Sequence, residues 1–266
     1  MQFDFGENWF DYSKQALTPE RIEQAKADLS VLTEGMDLHD KHFLDIGFGQ
    51  GLTLLNAAGM GAKVTGCDIN QKCTQALELT RARIPELKSF DAKIVVGSIL
   101  DEQVVSQLRQ FGNQDTGCYD IVHSWGVLHH TGDMQQAITN AASLVGSGGH
   151  FILAIYNRHW SSPLWHFIKR TYCSSPRLIQ RLLIWGMYPV IWIAKLLVTG
   201  SNPFRKQRGM DFFYDVIDWV GGYPYEYATV DEVHALVEPL GFQRIKVTAS
   251  EVPTGCNEFI YRRRDI

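Results

Sequence analysis

The stretch Phe43-Leu-Asp-Ile-Gly-Phe-Gly-Gln-Gly-Leu52 decides the fold, because it predicts a buried strand that ends in a turn with three glycines. A strand, a glycine turn and a helix together form a binding site for a nucleotide-like ligand. Gly47 and Gly49 permit the tight turn and let a ligand approach the main chain closely. Gly51 begins a helix whose free N–H groups point back at the turn.

The glycine spacing restricts the class of ligand. The spacing here is G-x-G-x-G, whereas dinucleotide-binding proteins carry G-x-G-x-x-G and place a pyrophosphate on the helix end. Asp45 stands just before the glycines, where a phosphate would have to come. A negative charge there suits a ligand with a positively charged amino group and no phosphate, which indicates S-adenosylmethionine. The spacing disfavours a nicotinamide-dependent dehydrogenase, although a glycine turn alone also occurs in other α/β proteins.

A second acidic residue ends the next predicted strand, Lys63-Val-Thr-Gly-Cys-Asp68. Asp68 follows the glycines by about 20 residues, as expected of a carboxylate that binds the ribose hydroxyls. Here the chain resembles the class I S-adenosylmethionine-dependent methyltransferases, whose first motif is similar to Leu44–Gly51 and whose second is similar to Gly66–Asn70. The resemblance implies a doubly wound, Rossmann-like α/β fold of seven strands in the order 3-2-1-4-5-7-6, with S-adenosylmethionine as cofactor.

Composition bounds the class of protein. The 266 residues are 45% hydrophobic, enough for one sizeable core, and the formal net charge is −4. Apart from Arg262-Arg-Arg264 no basic stripe is apparent, which disfavours nucleic acid as a partner. Five scattered cysteines without C-x-x-C spacing predict reduced thiols in a cytoplasmic protein, with neither a disulfide framework nor a metal site. The acidic, aromatic N-terminus differs from a signal peptide, so export is not expected.

The pattern from Phe43 to Leu153 alternates strands with helices, which is typical of a parallel sheet covered on both faces. Strands are predicted near residues 42–46, 63–67, 93–97, 119–124 and 150–155. Helices are predicted near residues 51–60, 70–83, 101–111 and 133–144. Further on, Thr229 is predicted to cap a helix that continues to Leu240. Strands at 242–249 and 256–263 then complete the sheet that the resemblance implies.

The carboxyl ends of the third and fourth predicted strands supply further candidates. After the third strand the family usually has an acidic residue near the adenine, whereas this chain has Ser98, whose hydroxyl and backbone could make that contact beside Ile99. The stretch Tyr119–Asp133 resembles the fourth-strand motif of a branch that includes quinone-pathway and many small-molecule methyltransferases. The resemblance places Ser124 and Trp125 beside the methionine part of the cofactor. The residues expected at the cofactor are therefore Asp45, Gly47, Phe48, Gly49, Gly51, Asp68, Ile69, Ser98, Ile99, Ser124 and Trp125.

His129 and His130 follow that strand, within reach of a substrate hydroxyl or amine. A histidine titrates near neutral pH and could take the proton from the acceptor, so both are candidate catalytic bases. A histidine beside a helix start is also a common structural hydrogen-bonding residue. Methyl transfer from a sulfonium can proceed largely by placing donor and acceptor in line, so the histidines' role stays open.

Residues 1–38 are predicted to form an arm and a helix that cover the cofactor. The helix begins at Thr18, its cap, with Pro19 in its first turn. Trp9 and Tyr12 lie in the aromatic arm before it. They either cover the site or anchor the arm to the core.

Residues 156–228 form an insertion after the fifth strand, and it holds five of the seven tryptophans. A connection of this length should be functional or folded, so a helical lid over the acceptor is predicted. Its centre, Leu178–Val198, is interrupted by Gly186 and Pro189, which favours two short helices over a membrane span. Their apolar faces are expected to be buried against the protein; pairing in a homodimer and contact with a bilayer surface are the alternatives.

The predicted division of the chain has a methyltransferase core at 39–155 and 229–266, with the arm and the insertion defining the substrate. The candidate acceptor contacts are Trp9, Tyr12, Tyr156, Tyr223, Tyr225 and Glu226. The predicted function is methyl transfer from S-adenosylmethionine to an oxygen, nitrogen or carbon of a small, aromatic or apolar metabolite. The alternative is a non-catalytic cofactor-binding or assembly protein whose insertion is an interaction surface.

Overall fold

The computed structural model describes residues 2–84, 87, 91–200, 211–250, 252 and 255–265. Residues 201–210 of the predicted insertion and four positions of the C-terminal segment, 251, 253, 254 and 266, lie outside the described residues. The division of the chain into arm, core and insertion stays a prediction.

Seven strands form one sheet in the order β3-β2-β1-β4-β5-β7-β6, which confirms the predicted fold class. The strands are β1 (His42–Ile46), β2 (Lys63–Asp68), β3 (Lys93–Val96), β4 (Tyr119–Trp125), β5 (Val145–Tyr156), β6 (Phe242–Thr248) and β7 (Cys256–Arg263). The first five run parallel, and β7 is antiparallel to both of its neighbours. Strand order reverses between β1 and β4, so ligands are expected at the carboxyl ends of these two strands.

Ten α-helices lie in the described residues. They are α1 (Phe5–Gln15), α2 (Pro19–Leu32), α3 (Leu52–Gly59), α4 (Gln71–Arg81), α5 (Glu102–Phe111), α6 (Met134–Ser143), α7 (Ser162–Ser174), α8 (Arg177–Thr199), α9 (Phe212–Gly221) and α10 (Val230–Val237). One hydrophobic cluster joins the sheet to α5, α6 and α10, and a second joins it to α1 to α4. Helices therefore cover both faces of the sheet, as its apolar strands require.

Helices α7, α8 and α9 enclose a third, smaller hydrophobic cluster that includes Tyr172, Ile184, Ile191, Phe212 and Val216. Within the described ranges, no helix is at once long enough and apolar enough to cross a bilayer.

The prediction of two short helices in 178–198 is wrong, because α8 is a single helix of 23 residues with Pro189 inside it. A proline in a helix interior removes one hydrogen bond and crowds the preceding turn. Here Ile184 and Ile191, which flank the proline on the inner face, are both buried against the neighbouring helices. Packing of that face therefore outweighs the local preference for a break.

Two other boundaries differ from the sequence prediction. The arm is itself helical, since α1 begins after Asp4, whose side chain accepts a hydrogen bond from the Glu7 amide. Strand β5 begins at Val145, five residues earlier than predicted, where Val145 pairs with Tyr119. Residues 146–149 interrupt the regular pairing of β5 with β4, since the next pair after Tyr119 and Val145 is Ile121 and His150, and Gly148 has φ +69°.

Thr229→Ala is expected to lower the free energy of unfolding by about 1 kcal/mol. Thr229 begins α10 with a capping box, in which its hydroxyl accepts from the Glu232 amide and the Glu232 carboxylate accepts from the Thr229 amide. Alanine removes the first of these bonds. Urea denaturation measures the loss, and Thr139→Ala is the control, since its hydroxyl bonds within α6 and caps nothing. Equal losses would contradict the cap's contribution.

Candidate functional site

A cavity of about 650 Å³ lies at the carboxyl ends of β1, β2 and β4. The glycine turn after β1, the end of β2, residues 97–99 after β3 and residues 125–127 after β4 form its base. Residues of α1 and α9 also line it. The volume is within the range of small-molecule sites, roughly 300–1,000 Å³. The structure thus places a ligand-sized space where the strand order reverses.

The glycine turn is fixed by bonds to β2 and by the helix above it. The Gly47 amide donates to the Cys67 carbonyl at 2.6 Å, and the Gly49 amide donates to Oδ2 of Asp68 at 3.1 Å. Gly49 lies under the indole of Trp9, whose Nε1 would be 3.0 Å from a Cβ added there. A side chain at this position would push α1 away from the turn.

Asp68 lies at the end of β2 and lines the cavity. Its carboxylate accepts from the Gly49 amide and, at 2.9 Å through Oδ1, from the Asn70 amide. Burial raises the pKa of Asp68, and these backbone bonds oppose that shift. The two carboxylate oxygens of Asp68 are fixed in position beside the cavity. Two acceptors so placed are suited to a vicinal diol such as that of ribose.

Asp45 is buried and bonded to a residue that sequence reasoning missed. Its Oδ1 lies 2.7 Å from Nδ1 of His123, and both side chains are 3% exposed. The imidazole stacks between Phe43 and Trp125, with ring centroids 6.0 and 5.8 Å away. Asp45 and His123 are paired in the register of β1 and β4. The predicted order of these strands was the signal that could have found the histidine.

The charges around the cavity have one sign. Among the described residues that line it there are six aspartates and neither lysine nor arginine: Asp4, Asp28, Asp45, Asp68, Asp215 and Asp218. A phosphate in such a site would face carboxylates with no lysine or arginine among the described lining residues, whereas a cation would be attracted. The acidic lining of the cavity therefore fits a cationic, phosphate-free ligand, and it does not fit a pyrophosphate.

Gly126 leaves the backbone open to the cavity just after β4. It has φ +73°, and no atom lies within 4 Å of the position where a Cβ would be. It follows Trp125, which also lines the cavity. A ligand can therefore approach the main chain closely at this point.

Comparison with known proteins decides the family. Residues 18–190, more than half of the chain, match the family model described as "Methyltransferase domain". The chain belongs to the class I S-adenosylmethionine-dependent methyltransferases. This confirms the resemblance predicted from the glycine turn and from Asp68.

A relative is similar in sequence, and two solved structures share the fold. The chain is 28% identical over 165 residues to the ubiquinone biosynthesis O-methyltransferase of Vibrio atlanticus, a match that covers 62% of this chain and 64% of that one. An O-methyltransferase family protein from Burkholderia thailandensis shares the fold with TM-score 0.54 and 13% identity, over 92% of this chain and 57% of that one. Magnesium protoporphyrin IX methyltransferase from Synechocystis, with bound S-adenosylhomocysteine, has TM-score 0.51 and 16% identity, over 91% and 83% of the two chains.

Most of the residues predicted at the cofactor line the cavity of the methyltransferase. They are Asp45, Gly47, Phe48, Gly49, Asp68, Ile69, Ser98, Ile99 and Trp125. Ser124 and Gly51 are the exceptions. The Ser124 hydroxyl is buried and donates to the Ile46 carbonyl, and a Cβ on Gly51 would meet Leu77 of α4 at 2.2 Å. Both residues hold elements of the methyltransferase together and neither borders the cavity.

His130 lines the cavity, in contact with the ring of Phe5 from the arm. Its Nδ1 lies 2.6 Å from the Pro224 carbonyl, so this nitrogen carries the proton and donates it. Burial and, to a lesser extent, the charge of Lys169 lower the pKa of His130 to about 3. Neutral His130 is thus a hydrogen-bond acceptor through Nε2 and a weak proton acceptor at neutral pH.

The structure places His129, the other candidate catalytic base, away from the cavity. Its side chain is fully buried and is not among the residues that line the cavity. Its Nδ1 accepts from the Tyr156 amide at 3.3 Å, and its ring lies 4.1 Å from the ring of Tyr156. Burial lowers the pKa of His129 well below its usual value. These contacts favour the alternative of a structural hydrogen-bonding residue, and a catalytic role for His129 stays a prediction.

Of the residues predicted at the acceptor, Trp9 and Tyr156 line the cavity and the other four do not. Tyr12 is fully buried against Tyr214, so it anchors α1 to α9. The carbonyl of Tyr223 accepts from the Phe3 amide, and the ring of Tyr225 packs on Tyr156. The Glu226 carboxylate accepts from the amides of Gly132 and Met134 at the start of α6. These loop residues support the wall behind the cavity.

Two buried ionisable side chains that the sequence did not indicate, Asp218 and Lys169, lie on α9 and α7. Asp218 of α9 lines the cavity and accepts from the Asn8 side chain at 2.6 Å. Lys169 of α7 donates to the Trp219 carbonyl at 2.6 Å and lies 4.9 Å from the ring centroid of Tyr225. Burial lowers the pKa of Lys169 to about 7 and raises that of Asp218 to about 8. Both groups are thus poised to change charge near neutral pH.

Asp218→Asn is expected to flatten the dependence of stability on pH. The folded protein keeps a proton on Asp218 up to about pH 8, whereas the unfolded chain releases it near pH 4. The stability contributed by Asp218 is therefore fully present below about pH 4 and is lost as the pH rises through about 8. Thermal unfolding between pH 5 and 8.5 measures it. The variant should gain about 1–2 kcal/mol over the wild type at the upper end, and parallel profiles would contradict this.

Proposed function

We propose that this methyltransferase transfers the methyl group of S-adenosylmethionine to an oxygen, nitrogen or carbon of a small, aromatic or apolar acceptor. The observation that carries the proposal is that different elements supply two kinds of lining residue. The glycine turn, Asp45 and Asp68 line the cavity at the ends of β1 and β2, whereas the N-terminal segment, the end of β5 and α9 supply the aromatic rings of Phe3, Phe5, Tyr156 and Trp219. The first set of residues suits a cationic adenosyl compound and the second suits an apolar partner.

The cofactor part has a distinct group for each portion of S-adenosylmethionine. Asp68 accepts hydrogen bonds from the ribose hydroxyls, and Ser98 and Ile99 lie where the adenine is expected. Asp45, held by His123, supplies negative charge for the amino group. Trp125 and the open backbone at Gly126 border the sulfonium end. Bound S-adenosylmethionine supplies an electrophilic methyl group on a sulfonium sulfur.

The chain's own contribution to the reaction is placement of the acceptor. The aromatic side chains exclude water and hold an apolar acceptor against the cofactor part, which raises the rate by proximity. His130 accepts a hydrogen bond from the acceptor through Nε2 and orients its nucleophilic atom. With its pKa held near 3, His130 acts as a positioning residue. Asp218, which also lines the cavity, is a second acceptor of such a bond.

The curated relatives indicate which acceptor class to test first. The Vibrio atlanticus protein is named an O-methyltransferase of ubiquinone biosynthesis, and the matched region spans 64% of its length. Oxygen on an apolar ring is therefore the first class of acceptor to test.

Transfer of label from methyl-labelled S-adenosylmethionine into a bacterial metabolite extract tests the proposal. The wild-type protein is expected to label at least one small, organic-extractable compound, and a phenolic fraction of the extract should be enriched in the activity. Asp68→Ala is the matched control and should label roughly tenfold less at the same limiting cofactor concentration. Cofactor binding without label in any fraction would instead support a non-catalytic binding protein.

A further inference from the structure

The outward face of α8 is apolar along nearly its whole length. Its side chains at spacings of three and four are all exposed: Leu178, Leu182, Trp185, Pro189, Ile193 and Leu196. Ile179, Val190 and Leu197 widen this stripe. At 1.5 Å per residue the stripe is about 28 Å long. A continuous exposed apolar stripe of this length marks a surface that contacts something.

The neighbouring helix α7 also exposes apolar side chains. Leu164 and Phe167 are 57% and 66% exposed, and Trp160, just before α7, is 84% exposed. The two most exposed tryptophans of the described residues, Trp160 and Trp185, thus belong to this hairpin of helices. Tryptophan is enriched where an apolar phase meets water.

The charge of the hairpin is of one sign. Residues 157–210 contain nine of the 25 basic residues of the chain and none of its 29 acidic residues. Three of the basic side chains, Arg170, Arg177 and Arg181, are exposed on α7 and α8. Lys195 instead pairs with Asp215 of α9 at 2.7 Å. The apolar stripe is therefore flanked by cationic side chains in a chain whose net charge is −4.

The apolar stripe and the arginines beside it together favour an anionic bilayer over a second copy of the chain as the partner. A second copy of the chain on the same face would bring arginines together with no carboxylate in the stripe to pair with them. Anionic lipid headgroups complement the arginines, and the acyl boundary accepts the leucines and tryptophans. The inner face of α8 is packed on α9 through Ile184 and Ile191, which leaves only the outer face for lipid.

We propose that the α7–α8 hairpin docks on the surface of a bilayer that contains anionic lipids, with α8 lying in the interface. This inference goes beyond the proposed function and does not depend on it. It has a consequence for the acceptor, because α9, which α8 packs against, supplies Asp215, Asp218 and Trp219 to the cavity wall. A docked hairpin would place the acceptor part of the cavity one helix away from the membrane.

Sedimentation of the purified full chain with lipid vesicles tests the docking. The vesicles are phosphatidylcholine alone and phosphatidylcholine with 30% phosphatidylglycerol, at low and high salt. The wild-type protein is expected to bind the mixed vesicles roughly tenfold more tightly than the neutral ones, and salt should reduce the difference.

Two variants and a matched control separate the apolar contribution to vesicle binding from the ionic contribution. Leu182→Glu, and separately Arg177→Glu with Arg181→Glu, are each expected to weaken binding to the mixed vesicles by about tenfold or more. Val31→Glu on α2 is the control, since Val31 and Leu182 are equally exposed, each 63%. It should bind as the wild type does. Unchanged affinity for S-adenosylhomocysteine in all variants shows that they are folded.

Three results would overturn the docking. One is the absence of binding to the mixed vesicles by folded wild-type protein. Another is equal binding by the wild type and Leu182→Glu. The third is a concentration-dependent dimer, seen by light scattering without lipid and abolished by Leu182→Glu, because it would assign the stripe to a second copy of the chain.

Discussion

Asp68→Ala is expected to weaken the binding of S-adenosylhomocysteine by about 10- to 150-fold, or roughly 1.5–3 kcal/mol. The carboxylate lines the cavity at the end of β2, and its two oxygens are held by the amides of Gly49 and Asn70. Alanine removes the acceptor for the ribose hydroxyls and the anchor of the glycine turn at the same time. Isothermal titration calorimetry measures the change directly.

Asp101→Ala is the control for this prediction. Asp101 also follows a strand of the sheet, but it caps α5 by accepting from the Gln103 amide and does not line the cavity. Its loss should cost about 1 kcal/mol of stability and leave the affinity for S-adenosylhomocysteine unchanged. If the Asp68 variant bound as tightly as the wild type, the placement of the ribose at Asp68 would be refuted.

Gly47→Ala is expected to lower the free energy of unfolding by about 2–5 kcal/mol. Gly47 has φ +75°, where a side chain costs roughly 1–2 kcal/mol of backbone strain. In addition, a Cβ would lie 2.3 Å from Cγ2 of Val127, so the loop after β4 must move. Overpacking of this kind adds about 1–3 kcal/mol. Chemical denaturation monitored by circular dichroism measures the total.

Gly35→Ala separates the backbone strain at positive φ from the steric clash with Val127. Gly35 has nearly the same backbone angle, φ +78°, but no atom lies within 4 Å of its added Cβ. It should therefore lose only about 1–2 kcal/mol. Gly126→Ala should resemble Gly35→Ala in stability while weakening ligand binding, because its Cβ would project into the cavity. Equal losses for Gly47→Ala and Gly35→Ala would show that Val127 does not constrain the turn.

The sequence was sufficient to predict the sheet and most of the cofactor side of the cavity. These features depend on local signals: a buried strand before Gly47, an acidic residue after the second strand, and alternating strands and helices. Parallel strands bring their carboxyl ends to one edge, so residues far apart in sequence could be placed together. The strand order followed from the family resemblance, which the structure confirms.

The acceptor side was predicted less well, because it is built from contacts between distant segments. The distinction between His129 and His130 depends on which ring turns toward Phe5 of the arm, and adjacent residues carry no signal for this. The Asn8–Asp218 bond joins residues that are 210 positions apart. Helix α8 continues through Pro189 because its inner face packs on α9, a long-range effect that local propensity omits.

The acidic cavity predicts a ligand that carries a positive charge and no phosphate. A competitive titration of the wild-type protein with S-adenosylhomocysteine and NAD tests this prediction. S-adenosylhomocysteine is expected to bind with a stoichiometry of about one and to be displaced by S-adenosylmethionine, because each carries an amino cation and no phosphate. NAD is expected not to compete, since its pyrophosphate would face the aspartates without a lysine or arginine among the described lining residues. Preferential binding of NAD, or no binding of S-adenosylhomocysteine by the folded protein, would contradict the assignment of this cavity.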